Sequence, residues 1–142
     1  MGHELISFRV QGMSPAPQGS KRHVGGGRII EASKRCKPWR LLVQTAAAET
    51  GYPVITHPVA IKIKFLFARP KSHYRTNGQL KESAPIYHSH IPDLSKIMRS
   101  TEDAIVDAGL LIDDSRISSA EISKFYCMPD ERPGALITIL TL

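Results

Sequence analysis

The sequence predicts an α+β fold, with a mixed β-sheet and two principal helices in one domain over residues 1–142. Three observations carry that prediction. Strand-like alternation of apolar and polar residues appears near both ends and in the middle of the chain. Two segments between them carry apolar residues at helical spacing. With 142 residues and 42% hydrophobic content, the chain is long enough for one buried core and short for two.

The elements follow in order. "ELISFRV" places Ile6, Phe8 and Val10 on one face, a first strand that ends at Gly12. "GMSPAPQGSKRHVGGGRIIEASKRCK" is a long basic loop with room for a short hairpin around Gly25 to Gly27. A loop of that length within a compact domain is usually functional or mobile. Pro38 opens a helix, because a proline in the first turn gives up an N–H that has no helical partner anyway. Trp39, Leu42, Val43 and Ala46 form its stripe, and Gly51 stops it.

"VAIKIKFLF" sets Val59, Ile61, Ile63, Phe65 and Phe67 against Lys62 and Lys64, the clearest half-buried strand in the chain. A second basic connection, "ARPKSHYRTNGQLKESAPIYHSH", ends in a short strand near Ile86 to His88. "PDLSKIMRSTEDAIVDAG" is the clearest helix. Leu94, Ile97, Met98, Thr101, Ile105 and Ala108 share one stripe, Lys96, Arg99, Asp103 and Asp107 the other side, and Gly109 ends it. Residues from Ile122 to Cys127 and the terminal "ALITILTL" read as the closing strands. There is no internal repeat.

Composition narrows the function. Lys and Arg total 19 against 13 Asp and Glu, a net charge of +6 that favours a polyanionic partner. Cys36 and Cys127 match no metal-binding spacing and read as free thiols in a reducing compartment. The N-terminus has no apolar signal core, and no segment is long enough to span a membrane, so a soluble, cytoplasmic protein without a membrane partner is expected. The glycines near Lys21 lack phosphate-loop spacing, which argues against a nucleotide cofactor, and no Cys or His cluster suggests zinc.

"GLLIDDSRI" carries the chemistry. Asp113 and Asp114 adjoin inside an apolar run, where a second carboxylate adds nothing to strand stability. Taken singly, they could end a strand in solvent, and Asp93 could simply cap its helix. Geometry relates them. The 13 residues from Lys96 to Ala108 span about 20 Å of helix. A reversal at Gly109 followed by an extended stretch to Asp114 runs back roughly 16 Å. The aspartate pair is therefore expected near the level of Asp93. Gathered carboxylates repel, so they need protons or a cation. An all-oxygen site with room for water suits Mg²⁺ or Mn²⁺. Lys96 and Arg99, one turn along, could face a phosphate there. Carboxylates, a divalent ion and basic residues are the requirements of phosphodiester hydrolysis.

"PDLSKIMRSTEDAIVDAGLLIDDSRI" resembles the signature of RusA-type Holliday junction resolvases: Pro-Asp-x-Asp, a basic residue in the next turn, Asp-Ala in mid-helix, then Asp-Asp. "PAPQGSKR", "RPKSHYRTNGQLKESAP" and "KFYCMPDERPGALITI" resemble the family's N-terminal loop, its connection in actinobacterial and actinobacteriophage members, and its closing strands. The resemblance implies a homodimeric, Mg²⁺-dependent endonuclease, with Mn²⁺ as a substitute ion, acting on branched DNA in a bacterial cytoplasm. Whether the gene belongs to a host, a prophage or a phage stays open. Two sites in a dimer would nick opposed strands of a four-way junction symmetrically. By position, Asp93 matches the first acidic ligand, Asp114 the last and Asp113 its neighbour, while Arg99 falls where many members have a functional lysine.

One departure stands out. Ser95 occupies the place of the motif's second aspartate, and Lys96 that of a common asparagine. A hydroxyl can coordinate Mg²⁺ but brings no charge, which implies a higher metal requirement. The alternative is a branched-DNA-binding protein with weak nuclease activity, and a third reading is a basic interaction protein indifferent to branching. Further DNA contacts are expected from Lys21 and Arg22 on the first basic segment, and from Lys71, His73, Tyr74 and Arg75 on the second. Lys124 could approach the site from its strand. For each of these, loop packing or plain solvation is the competing reading, as it is for His88 and His90. Trp39 reads as core or dimer contact.

Overall fold

The computed structural model describes the backbone of residues 2–18, 21–24, 28–31 and 34–142, and the side chains of 2–18 and 34–142. Strand β1 (Glu4–Gln11) leads into a loop, and β2 (Lys21–Val24) pairs antiparallel with β3 (Arg28–Glu31). The expected hairpin is therefore present, although its connection at 25–27 lies outside the described residues. Helix α1 (Cys36–Glu49), strand β4 (Val59–Phe67), helix α2 (Leu94–Asp107), strand β5 (Ile117–Tyr126) and strand β6 (Gly134–Leu140) complete the order.

Four strands form a mixed sheet in the order β1-β6-β4-β5. β6 pairs antiparallel with both β1 and β4, whereas β4 and β5 run parallel. A parallel pair needs a crossover, and the segment containing α2 supplies it. The alternation in β4 turns Val59, Ile61, Ile63 and Phe65 to one face, where each is at most 2% exposed. Trp39 and Val43 of α1 and Ile97, Ala104 and Ile105 of α2 cover that face. The indole of Trp39 donates to the Thr101 hydroxyl at 3.1 Å, which pairs the one polar atom that the tryptophan brings into the core. Trp39 is thus core, with no exposed surface.

Two boundaries differ from expectation. α1 starts two residues before Pro38, which still sits in the first turn, and the first helical bond runs from the Trp39 N–H to the Arg35 carbonyl. β5 starts at Ile117, five residues earlier than its apolar pattern suggests. Ser118 to Glu121 are exposed on a strand that pairs along its length on one side only, so burial left no mark there. The expected strand near Ile86 is a single bridge, Tyr87 to Phe125, against β5's other side. Both cysteines are buried and free. No helix among the described residues is long and apolar enough to cross a membrane.

Candidate active site along helix α2

Asp93 ends an extended segment and takes the N-cap position of α2, yet its carboxylate makes no capping hydrogen bond. Its charged partner is Lys96 at 3.7 Å, with both side chains more than half exposed. Such a pair contributes little in water, so the carboxylate remains open to a stronger cation. The loop behind it is held firmly. The Lys124 ammonium donates to the carbonyls of His90 at 2.7 Å and Pro92 at 2.8 Å. On the other side, the Ser100 hydroxyl donates to the Ala16 carbonyl at 2.7 Å and the Gln18 N–H to the Lys96 carbonyl at 3.1 Å.

Asp113 and Asp114 are positioned by the two leucines before them. Gly109 adopts φ +80°, the left-handed conformation that ends a helix and reverses the chain. Leu110 and Leu111 are then buried, and the chain is locked to Ile55 on either side of the Leu111 bridge: the Ile55 N–H donates to the Leu110 carbonyl at 2.9 Å and the Ile112 N–H to the Ile55 carbonyl at 3.0 Å. A 3-10 turn over Asp114–Arg116 follows, and Asp113 caps it by accepting from the Ser115 N–H at 2.9 Å.

The turn faces the second half of α2. Ligand oxygens of Glu102, Asp103 and Asp114 lie within 4.8 Å of one another. Glu102 is nine residues beyond Asp93, about 13 Å along the helix axis. Asp93 is not a member of this group, although the aspartate pair was expected near its level. Docking on Ile55 and the turn consume residues that a straight return would have used. α2 instead carries acidic stations toward both of its ends, and Ser95 and Arg99 stand exposed on the same face as Glu102 between them.

The carboxylates feel one another. The hydrogen bond shared with Asp113, then burial and the charges of Asp113 and Asp103, raise the pKa of Asp114 above the ordinary aspartate value. Asp113 is lowered, first by the Ser115 N–H and then by Asp114. Burial, followed by the charges of Asp114 and Asp103, raises Glu102, which Arg99 partly opposes. A hard divalent cation fits this donor set, because every ligand is an oxygen and excess negative charge already makes Asp114 and Glu102 hold their protons more tightly.

The remaining expectations fall as follows. Lys71 and Arg75 are exposed, and Tyr74 is half-buried in a bridge to Leu80. His73 packs inward: its ring meets Tyr126 edge-on at 4.7 Å and its Nδ1 lies 3.2 Å from Arg69. His88 stacks on Phe67 at 3.9 Å, and burial, Lys124 and His90 hold its pKa below the usual histidine value. The side chains of Lys21 and Arg22 lie outside the described residues. The sequence reading names neither Glu102 nor Asp103 as a ligand. The signal available for both was an acidic pair on the stripe of Arg99, nearly two turns before the Gly109 reversal.

Among curated proteins no match was found. A family model described as endodeoxyribonuclease RusA matches residues 13–140, which takes in β4, β5 and β6 of the sheet, both helices and every acidic residue just described. By that match the chain belongs to the RusA family of Holliday junction-resolving endodeoxyribonucleases.

Proposed function

We propose that this protein is a Mg²⁺-dependent, structure-selective endodeoxyribonuclease that resolves four-way DNA junctions by paired, symmetric nicks, acting as a homodimer. The observation that carries the reading is Asp114 set against Glu102 and Asp103 in a chain of this family. Asp114, Glu102 and Asp103 would hold the cation, with Mn²⁺ as a substitute ion, and Asp113 would steady the turn that presents Asp114. When bound, the ion supplies a water of lowered pKa and offsets charge on the phosphate.

The chain's own groups do the rest. Arg99 offers a planar donor set to a phosphate oxygen between the two acidic stations. Lys96 adds positive charge one turn earlier, near Asp93, and Asp93 with Ser95 forms a second oxygen-rich position at the helix start. Lys71, Tyr74 and Arg75 would meet one junction arm, and Lys21 and Arg22 of the first basic segment another.

The test is a labelled four-way junction with Mg²⁺, beside a linear duplex. Symmetric nicks in the junction alone, abolished by Asp114→Asn while binding persists, are expected. The second reading, a junction-binding protein with weak nuclease activity, draws on Ser95, since no further carboxylate joins Asp93 in a cluster among the described residues. It predicts junction binding without turnover in Mg²⁺ or Mn²⁺.

A further inference from the structure

At the start of α2 a cavity of about 450 Å³ opens beside Asp93. Its apolar wall is Pro17, Ile91 and Pro92, and its rim carries Lys34, Arg35 and Lys96 against the single carboxylate of Asp93. Ile91 is 84% exposed, the most exposed of the large apolar side chains among the described residues. The fold does not need it there, since neither neighbour in the chain is buried and the core lies elsewhere. The wall behind it is nonetheless rigid. The bonds from Lys124 to the His90 and Pro92 carbonyls clamp one side, and the Gln18 to Lys96 backbone bond clamps the other.

An exposed aliphatic side chain on a fixed wall, with cations around the opening, matches a ligand that has a flat apolar face and a phosphate attached. We propose that this cavity receives one unstacked nucleobase from the branch point of the DNA, with Ile91 and the prolines against the base and Lys34, Arg35 and Lys96 around its flanking phosphate. Bases in a continuous duplex are stacked and cannot enter. Bases at a branch point lose a stacking neighbour and cost less to turn out. The cavity therefore selects junctions over linear DNA by reading the missing stack and not the sequence. The inference rests on the junction-resolving reading and adds to it the group that recognises branching.

The experiment uses the full chain in EDTA, so that nothing is cut, and a four-way junction carrying 2-aminopurine either at the branch point or within an arm. On binding, fluorescence is expected to rise for the branch-point probe and to stay flat for the arm probe. Ile91→Ala, a change at a solvent-facing side chain, should remove most of the rise. It should weaken junction binding about fivefold, roughly 1 kcal/mol, with linear duplex affinity unchanged. A wild-type protein that binds the junction with no branch-point signal overturns the inference, as does an Ile91→Ala variant that matches wild type. In either case junction cleavage in Mg²⁺ would leave the nuclease reading intact. Equal binding of junction and duplex by the wild type would overturn both.

Discussion

Protonation of the carboxylates decides when the acidic cluster can take a cation. Asp114 and Glu102 have raised pKa values, so each keeps its proton to a higher pH than an isolated carboxyl would. A cation must displace that proton. Metal binding should therefore weaken as pH falls through their raised range and level off above it. Half-saturating Mg²⁺ for cleavage, measured across a pH series, should rise steadily toward acid; a flat profile would remove Glu102 and Asp114 from the metal site. Glu102→Gln should raise the Mg²⁺ requirement by about 10–100-fold, as loss of groups supporting a metal site does. Ser95→Asp should lower it, by restoring a charge at the helix start. At a different kind of site, Gly134 has φ +153°, and a Cβ there would overlap the Val10 carbonyl oxygen of the neighbouring strand. Gly134→Ala should cost about 2–3 kcal/mol and lower the denaturant midpoint, since neither backbone can yield without breaking the β1–β6 register.

Among the elements, α2 has the most to do. Its buried side, from Ile97 through Ala104 and Ile105, fastens it to the sheet, while Asp93, Ser95, Arg99 and Glu102 remain on outer faces. β5 then serves as a brace. Lys124, which the sequence suggested as a DNA contact, spends two hydrogen bonds on the loop that delivers Asp93 and lines the nearby cavity. Lys124→Met should leave the sheet intact at a cost of about 1–3 kcal/mol. It should also slow cleavage at saturating junction more than it weakens binding, because the loop is displaced and not lost. Equal losses in both quantities would make Lys124 a phosphate contact instead. Arg69 is a similar brace for the second basic connection, donating to the carbonyls of Cys127 and Pro85 at 2.7 Å each.

For the molecule as a whole, charge and architecture act together. The net charge of +6 gives a sequence-independent attraction to DNA, so log affinity should fall linearly with log salt for junction and duplex alike. On the proposed reading branch selectivity comes from shape, so the ratio of the two affinities should change far less with salt than either affinity does. A ratio that collapses with salt would mean that selectivity is merely a matter of charge density.

Much of this was legible in the residues. Both helices, the β4 strand and the hairpin in the first basic segment follow from periodicity and from glycine and proline placement, because burial on one face is a local property that the sequence records directly. The early part of β5 was not legible: its residues are exposed along a sheet edge, and backbone pairing alone leaves no trace in side-chain pattern. The same division runs through the site. The sequence by itself set Asp93, Asp113 and Asp114 apart as candidates for a metal site, and their motif spacing pointed to the family that the chain belongs to. Only the tertiary structure decided that Asp114 meets Glu102 and Asp103 beside the second half of α2, while Asp93 stands at its start. That outcome depends on two leucines docking against Ile55, a contact between residues more than fifty positions apart. Periodicity describes which face of an element is buried; the point at which a chain stops travelling and turns is set by the partner it is buried against.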